Sequence, residues 1–310
     1  MVFWKTYPIS NIIKKWNTGI FTDLRFEKED VFTFESTILD TNKEVLEIKH
    51  FIKNNFGGNK KPVLDIPEDK ICGKKDTIIY VRDTQIIGCI RYKYIGMFLD
   101  KEIYCVDCFC IHPSWRKKGL GDYLLTKLHI YVNKNNIPYS MFLKEGPQLN
   151  IMNTPIYSGV YVYRKVIRRD LDITALTIDQ AYKLIDIFCE FNDIFIIKNK
   201  DNLNQYWKLY KREDKTILAC IQDTYQYLDG KKIGWITGWI ESPNITDDLR
   251  EDALHQISNS MDFYYMWANR AWTNANTNAN TKEWKIDGSF HWYLYQWTTS
   301  IRFTSYCVLS

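Results

Sequence analysis

Residues 102–131, EIYCVDCFCIHPSWRKKGLGDYLLTKLHIY, decide how the rest of the chain is read. Ile103 to Ile111 is an apolar run rich in Cys, Phe, Tyr and Val, the pattern of a mostly buried strand. Pro113 and Ser114 break it. Arg116, Lys117, Lys118, Gly119, Leu120 and Gly121 follow, and then Tyr123, Leu124, Leu125 and Leu128 recur at helical spacing. The order is strand, basic glycine loop, helix. At a helix start the first N–H groups have no partner within the helix, and the dipole end is positive. Glycines let that backbone approach a phosphate, and the three cationic side chains add charge. The alternative reading is a surface loop whose glycines only cap a turn.

Two common phosphate loops are excluded. There is no Gly-x-x-x-x-Gly-Lys-Ser/Thr, and no Gly-x-Gly-x-x-Gly followed by an acidic residue some twenty positions on. The spacing Arg-x-x-Gly-x-Gly directly after a strand resembles the acyl-CoA pyrophosphate loop of the GNAT acyltransferase superfamily.

Working outward, the 310 residues suffice for one large or two medium domains, and 45% apolar with 25% charged residues are ordinary globular values. The net charge of +4 is scattered, which argues against a nucleic-acid-binding face. No stretch resembles a signal peptide or reaches membrane-spanning length, so the chain is expected in the cytoplasm without stable membrane insertion. The eight cysteines lie mostly in apolar strands and are expected to be reduced core residues. No Cys or His pair has zinc-site spacing, and no metal is expected. His112 stands alone and reads as a hydrogen-bonded structural residue.

Upstream of the central stretch, Thr33 to Leu39 reads as a short strand and Asn42 to Asn55 as an amphipathic helix. Ile78 to Val81 and Ile86 to Phe98 read as antiparallel strands. Downstream, Tyr139 to Leu143 and Tyr157 to Val166 are further strands, which completes a GNAT-like order near Asp170. A second unit then begins. Thr177 to Phe191 is a helix with a Thr177-x-x-Gln180 capping box, and Asn202 to Lys208 a short helix. Thr216 to Ile221 and Lys232 to Ile240 are strands, and Thr246 to Met261 a helix. Phe290 to Trp297 and Arg302 to Leu309 are strands. The fold class expected is therefore α/β (α+β): two fused GNAT-like folds, residues 1–170 and 171–310, with mixed, mostly antiparallel sheets flanked by helices. Only the first half carries the basic glycine loop.

The whole chain resembles the N-myristoyltransferases (glycylpeptide N-tetradecanoyltransferases), a family of fused GNAT pairs. Its opening Phe-Trp-x-Thr-x-Pro is matched by Phe3-Trp4-Lys5-Thr6-Tyr7-Pro8. Its signature strand, Asn-Phe-Leu-Cys-Val-His-x-x-Leu-Arg-Ser-Lys-Arg, lines up with Asp107 to Gly119. Its late Asp-Gly-x-x-x-Tyr-Tyr/Leu-Tyr-Asn-Trp compares with Asp287 to Trp297, and its closing Val-Leu-Gln with Val308-Leu309-Ser310. The chain departs from the family at the basic Asn54 to Lys61, where an acidic peptide-binding loop is usual. It departs again at Arg116 to Gly121, which is closer to the general GNAT loop.

The resemblance implies transfer of a myristoyl group from myristoyl-CoA, a co-substrate rather than a resident cofactor, to the N-terminal glycine amine of a peptide or protein. It implies that Val2, Phe3, Trp4 and Lys5 pack on the CoA, with Phe109, Cys110 and Ile111 along it. Arg116, Lys117, Lys118, Gly119, Leu120 and Gly121 would hold its phosphates. The N–H groups of Cys108 and Phe109 would form an oxyanion hole at a break in the strand, and the terminal carboxylate of Ser310 would act as the base. It implies a monomer. Two other readings remain open: a GNAT N-acyltransferase using a shorter acyl-CoA or another amine, and a non-catalytic acyl-CoA-binding module.

Overall fold

The computed structural model describes residues 19–20, 36–38, 42–57, 62–98, 100–149, 155–167, 173–189, 195–200, 204–273, 284–295, 297–298 and 307–308. In the first half these are strand β1 (Ser36–Ile38), helix α1 (Asn42–Asn55), strands β2 (Thr77–Arg82), β3 (Ile86–Phe98) and β4 (Lys101–Ile111), helix α2 (Leu120–Lys134), and strands β5 (Ser140–Glu145) and β6 (Tyr157–Lys165). The second half has helix α3 (Ile178–Cys189), strands β7 (Gln205–Arg212), β8 (Lys215–Leu228) and β9 (Lys231–Glu241), helix α4 (Asp247–Asn259), and strands β10 (Tyr265–Asn269) and β11 (Lys285–Tyr295).

Local chemistry accounts for the helix starts. Thr177 and Gln180 form the expected capping box: the Gln180 amide oxygen accepts from the Thr177 N–H at 2.9 Å, and the Thr177 hydroxyl accepts from the Gln180 N–H at 3.3 Å. The Thr246 hydroxyl caps α4 by accepting from the Leu249 N–H at 3.3 Å.

All eleven strands join one mixed, mostly antiparallel sheet of 13, in the order β1-β2-β3-β4-β5-β11-β6-β10-β9-β8-β7 and then Thr174–Leu176, with Val63–Leu64 paired to β8. The parallel pairs are β4 with β5 and β9 with β10, each joined through a helix. The two halves exchange their last strands. β11, from the second half, lies between β5 and β6, and β6, from the first half, lies beside β10. Strand alternation sorts the core by face. Ile79 and Val81 pack under α2, whereas Ile78 and Tyr80 pack under α1. Ile217, Ala219 and Ile221 pack under α4, whereas Leu218 and Cys220 pack under α3. Thus α2 and α4 cover one face, and α1 and α3 the other. Tyr161, Phe290 and Trp292 fill the middle of that second face.

One further contact ties the halves together. Met97, at the end of β3, and Lys198 exchange two backbone hydrogen bonds of 2.8 Å. Gly96 makes this crossing possible. Its φ is +135°, and a Cβ there would stand 2.6 Å from the Lys198 carbonyl oxygen.

One element differs in kind from the sequence reading. Asn202 to Lys208 was expected to be helical, but Gln205–Arg212 is strand β7, paired with β8 over its whole length. Gln205, Trp207 and Leu209 are buried while Tyr206 is exposed and Lys208 half-buried, which is strand alternation. Trp207 and Leu209 enter the core under α3, and Tyr210, which breaks the alternation, enters the one under α4. Of the expected strand Arg302 to Leu309, Cys307–Val308 is described; the rest lies outside the described residues. Among the described residues no helix is long and apolar enough to cross a membrane.

Candidate functional site

β4 pairs with β5 only from Tyr104 to Val106, against Ser140 to Phe142. Beyond that point β5 stays with β11 (Leu143 to Glu145 against Trp292 to Phe290), and β4 stays with β3. The sheet therefore forks after Val106. At the fork β4 carries a bulge. Arg91 pairs with Asp107 and Cys89 with Cys110, so Ile90 alone faces both Cys108 and Phe109. Cys108 has φ +48°, the left-handed region, which costs a residue with a side chain about 1–3 kcal/mol.

Three contacts hold the bulge. The Arg91 guanidinium, its side chain 5% exposed, grips the Asp107 carboxylate through Nε at 2.6 Å and Nη2 at 2.7 Å; the Asp107 side chain is 33% exposed. Arg91 Nη1 donates to the carbonyls of Lys70 and Ile71 at 2.9 and 2.8 Å, at the end of the short helix Glu68–Ile71. The Cys89 thiol donates to the Cys108 carbonyl at 3.5 Å. On the other face, α2 rides directly on the strand: a Cβ on Gly121 would lie 3.2 Å from both the Phe109 ring and Ile111 Cδ1. Burial raises the Cys89 and Cys108 thiols well above their ordinary range, so both are neutral.

After β4 the chain turns at His112. As expected, this histidine is structural: Nδ1 lies 2.7 Å from the Ser114 hydroxyl and accepts from the Ser114 N–H at 3.3 Å, which starts the 3-10 turn Pro113–Trp115. Lys117 (φ 63°) and Gly119 (φ 88°) are left-handed, a backbone pattern that gathers N–H groups into an anion-binding concavity. No side chain caps α2, and its first turn has N–H groups without acceptors in the helix. Lys117 is exposed, and Lys118 Nζ lies 5.2 Å from the Trp115 ring centre. Arg116 turns away from this concavity. Its Nε donates to the Ile111 carbonyl at 3.0 Å and its Nη2 to the Asn55 carbonyl at 2.8 Å, which ties the loop to the end of α1.

The structure thus brings Cys108, Phe109, Cys110 and Ile111 together with Lys117, Lys118, Gly119, Leu120 and Gly121 around one fork. Val2, Phe3, Trp4, Lys5 and Ser310 lie outside the described residues. Two residues before Ser310 in sequence, the strand Cys307–Val308 runs parallel to Phe195–Ile196 and packs against β9. Under the fork, Val106, Leu128, His129 and Tyr295 help line a cavity of about 20 Å³, room for one water-sized group. The Tyr295 hydroxyl and His129 Nδ1 are 2.6 Å apart there.

Sequence reasoning missed Arg91. Its signal was present: Arg91 is the one charge in Ile86 to Tyr92, and Asp107 the one charge in Ile103 to Ile111. Single opposite charges in two neighbouring buried strands imply a pair.

Residues 48–157 match the acetyltransferase (GNAT) family model. That segment is a GNAT domain. Its match runs from the middle of α1 through the fork, the glycine loop and α2 to the first residue of β6. No characterised protein matches at the level of sequence. In structure, the chain is similar to Saccharomyces cerevisiae N-myristoyltransferase with bound myristoyl-CoA. The TM-score is 0.65 at 13% identity, covering 97% of this chain and 93% of that one. A second structure of the yeast enzyme, with bound myristoyl-CoA and inhibitors, gives 0.62 at 13% identity over 96% and 90%. The chain therefore shares the fold of those proteins over nearly its whole length.

Proposed function

We propose that this chain transfers a tetradecanoyl group from myristoyl-CoA to the N-terminal amine of glycine-initiated peptides. The observation that carries the reading is the forked strand with a left-handed residue at Cys108, facing a basic glycine turn at the start of α2. A thioester carbonyl laid in the fork would meet the N–H groups of Cys108 and Phe109, and the CoA phosphates would meet those from Lys117 to Gly121. Preorganised donors aimed at developing negative charge contribute about 3–4 kcal/mol each.

The amine would attack the thioester carbon directly. A neutral, buried Cys108 thiol is unsuited to form an acyl-enzyme. The tetrahedral oxyanion would collapse with release of CoA as thiol. An α-amine has a pKa of about 8, so a weak base suffices near neutrality. In this reading the base is the terminal carboxylate of Ser310, two residues beyond the strand Cys307–Val308. Residues 1–170 would hold acyl-CoA and residues 171–310 the acceptor.

A second reading, transfer of a shorter acyl group or transfer to another amine, is favoured by the general GNAT spacing of Arg116 to Gly121. The test for both is incubation of the full chain with glycine-initiated peptides and either myristoyl-CoA or acetyl-CoA, read by mass. A gain of one tetradecanoyl group is expected. A kinetic preference for acetyl-CoA selects the second reading, and no product with any glycine peptide overturns the first.

A further inference from the structure

Asp107 immediately precedes the strained residue of the bulge, and Arg91 stands across from it on β3. Arg91 holds both carboxylate oxygens with two parallel donors and uses its remaining terminal nitrogen on the carbonyls of Lys70 and Ile71. Asp107 is therefore fixed from outside its own strand, by a cation rooted in the helix Glu68–Ile71. We infer that Arg91, acting through Asp107, is a positioning residue of the acyl-transfer site, which sets the direction of the Cys108 and Phe109 N–H groups at the fork. The inference rests on the proposed acyl transfer but goes beyond it, because it assigns a role to a residue on the neighbouring strand β3.

Stability alone is a poor reason for this pair. Replacing a buried ion pair by well-packed apolar residues is often neutral or stabilising. Ile78, opposite Arg91 on β2, and Ile71, whose carbonyl the guanidinium meets, are buried apolar neighbours for such residues. What apolar residues cannot supply is a planar, two-bonded grip. That grip restricts the torsions of Asp107 and so the peptide plane that carries the Cys108 N–H. The Cys89 thiol restrains the next peptide plane through the Cys108 carbonyl, so both planes flanking Cys108 are tied to β3 or beyond.

The test uses two unreactive acyl-CoA analogues with the full chain. In one, a methylene replaces sulfur and the carbonyl is kept. In the other, a thioether, the carbonyl is removed. Wild-type protein is expected to bind the ketone at least about tenfold more tightly than the thioether, as expected of preorganised oxyanion donors. In Asp107→Asn, and in the apolar double variant R91M/D107L, the thioether affinity stays within about twofold of wild type while the ketone advantage falls to near one. kcat falls about tenfold or more with little change in the KM for acyl-CoA. Arg91→Lys, which cannot make the fork-to-fork contact, does not restore kcat. A ketone-to-thioether ratio unchanged in these variants overturns the proposal, as does equal loss of both ligands. Wild-type protein that fails to bind the thioether overturns the acyl-transfer reading itself, and the proposal with it.

Discussion

Cys108 illustrates how a residue's environment can remove the chemistry its type suggests. A cysteine at the centre of the proposed acyl-transfer site invites a covalent mechanism. Burial instead holds the thiol neutral, and what the site can use is the backbone on either side of it. Cys108→Ala is therefore expected to keep acyl transfer within about tenfold of wild type, the loss coming from packing rather than chemistry. Intact-mass analysis during turnover should show no acylated enzyme; an acyl adduct on Cys108 would refute direct transfer. Glycines give a second prediction at this scale. Gly96 combines a positive φ with a backbone oxygen 2.6 Å from where a Cβ would stand, whereas Gly230 (φ +70°) has no atom within 4 Å. Gly230→Ala is expected to cost about 1 kcal/mol from φ alone. Gly96→Ala should cost about 3 kcal/mol or more, because backbone must also move. Thermal unfolding of the two variants separates strain from collision. His112 was legible as structural because no Cys or His stands at zinc-site spacing from it in the sequence. The break in the strand at Cys108 was expected only through the family resemblance; the residues themselves do not give its left-handed φ, since bulges depend on which partner strand sets the register.

At the scale of elements, the strand, loop and helix from Glu102 to Tyr131 could be read directly. Apolar density, then glycine and charge, then a period of 3.6 leaves few alternatives. Side-chain direction within the loop could not be read. Arg116, Lys117 and Lys118 form one basic run in sequence, yet Arg116 is spent on the carbonyls of Ile111 and Asn55. This division predicts different phenotypes for neighbouring cations. Arg116→Met is expected to lower the melting temperature by a few degrees, with about 1–2 kcal/mol lost from its carbonyl contacts. Lys117→Met should leave stability unchanged and weaken CoA binding a few-fold at low salt, with the difference fading at about 1 M salt as screening takes over. Calorimetry of the two variants, with CoA titrations at two ionic strengths, checks both. Equal salt-dependent loss of CoA affinity in Arg116→Met would contradict its assignment to the loop's anchorage. The misread element, Gln205–Arg212, failed for a related reason. Its aromatic residues serve two cores at once, and only the neighbouring strands reveal that.

For the whole molecule, the repeat of helix, strands, helix and strands was visible from periodicity, so the paired fold could be anticipated. The exchange of final strands could not, because β6 and β11 would satisfy the same local pattern in either half. Pairing decides the matter: β11 contacts β5 on one side and β6 on the other, so it closes the first half with residues far along the chain. This has a consequence for folding. Phe290, Trp292, Tyr293, Leu294 and Tyr295 are all buried on β11. At roughly 2 kcal/mol for each such side chain, their absence removes about 10 kcal/mol of burial, comparable with the whole net stability of a typical domain, about 5–15 kcal/mol. It would also leave β5 and β6 with open hydrogen-bonding edges, which invite aggregation. Residues 1–170 expressed alone should therefore lack a cooperative thermal transition and bind no CoA, although they contain the complete glycine loop and bulge. Coexpression with residues 171–310 should restore one soluble complex with a single unfolding transition. A stable, CoA-binding fragment 1–170 would mean that the exchanged strand is an embellishment on an independent domain.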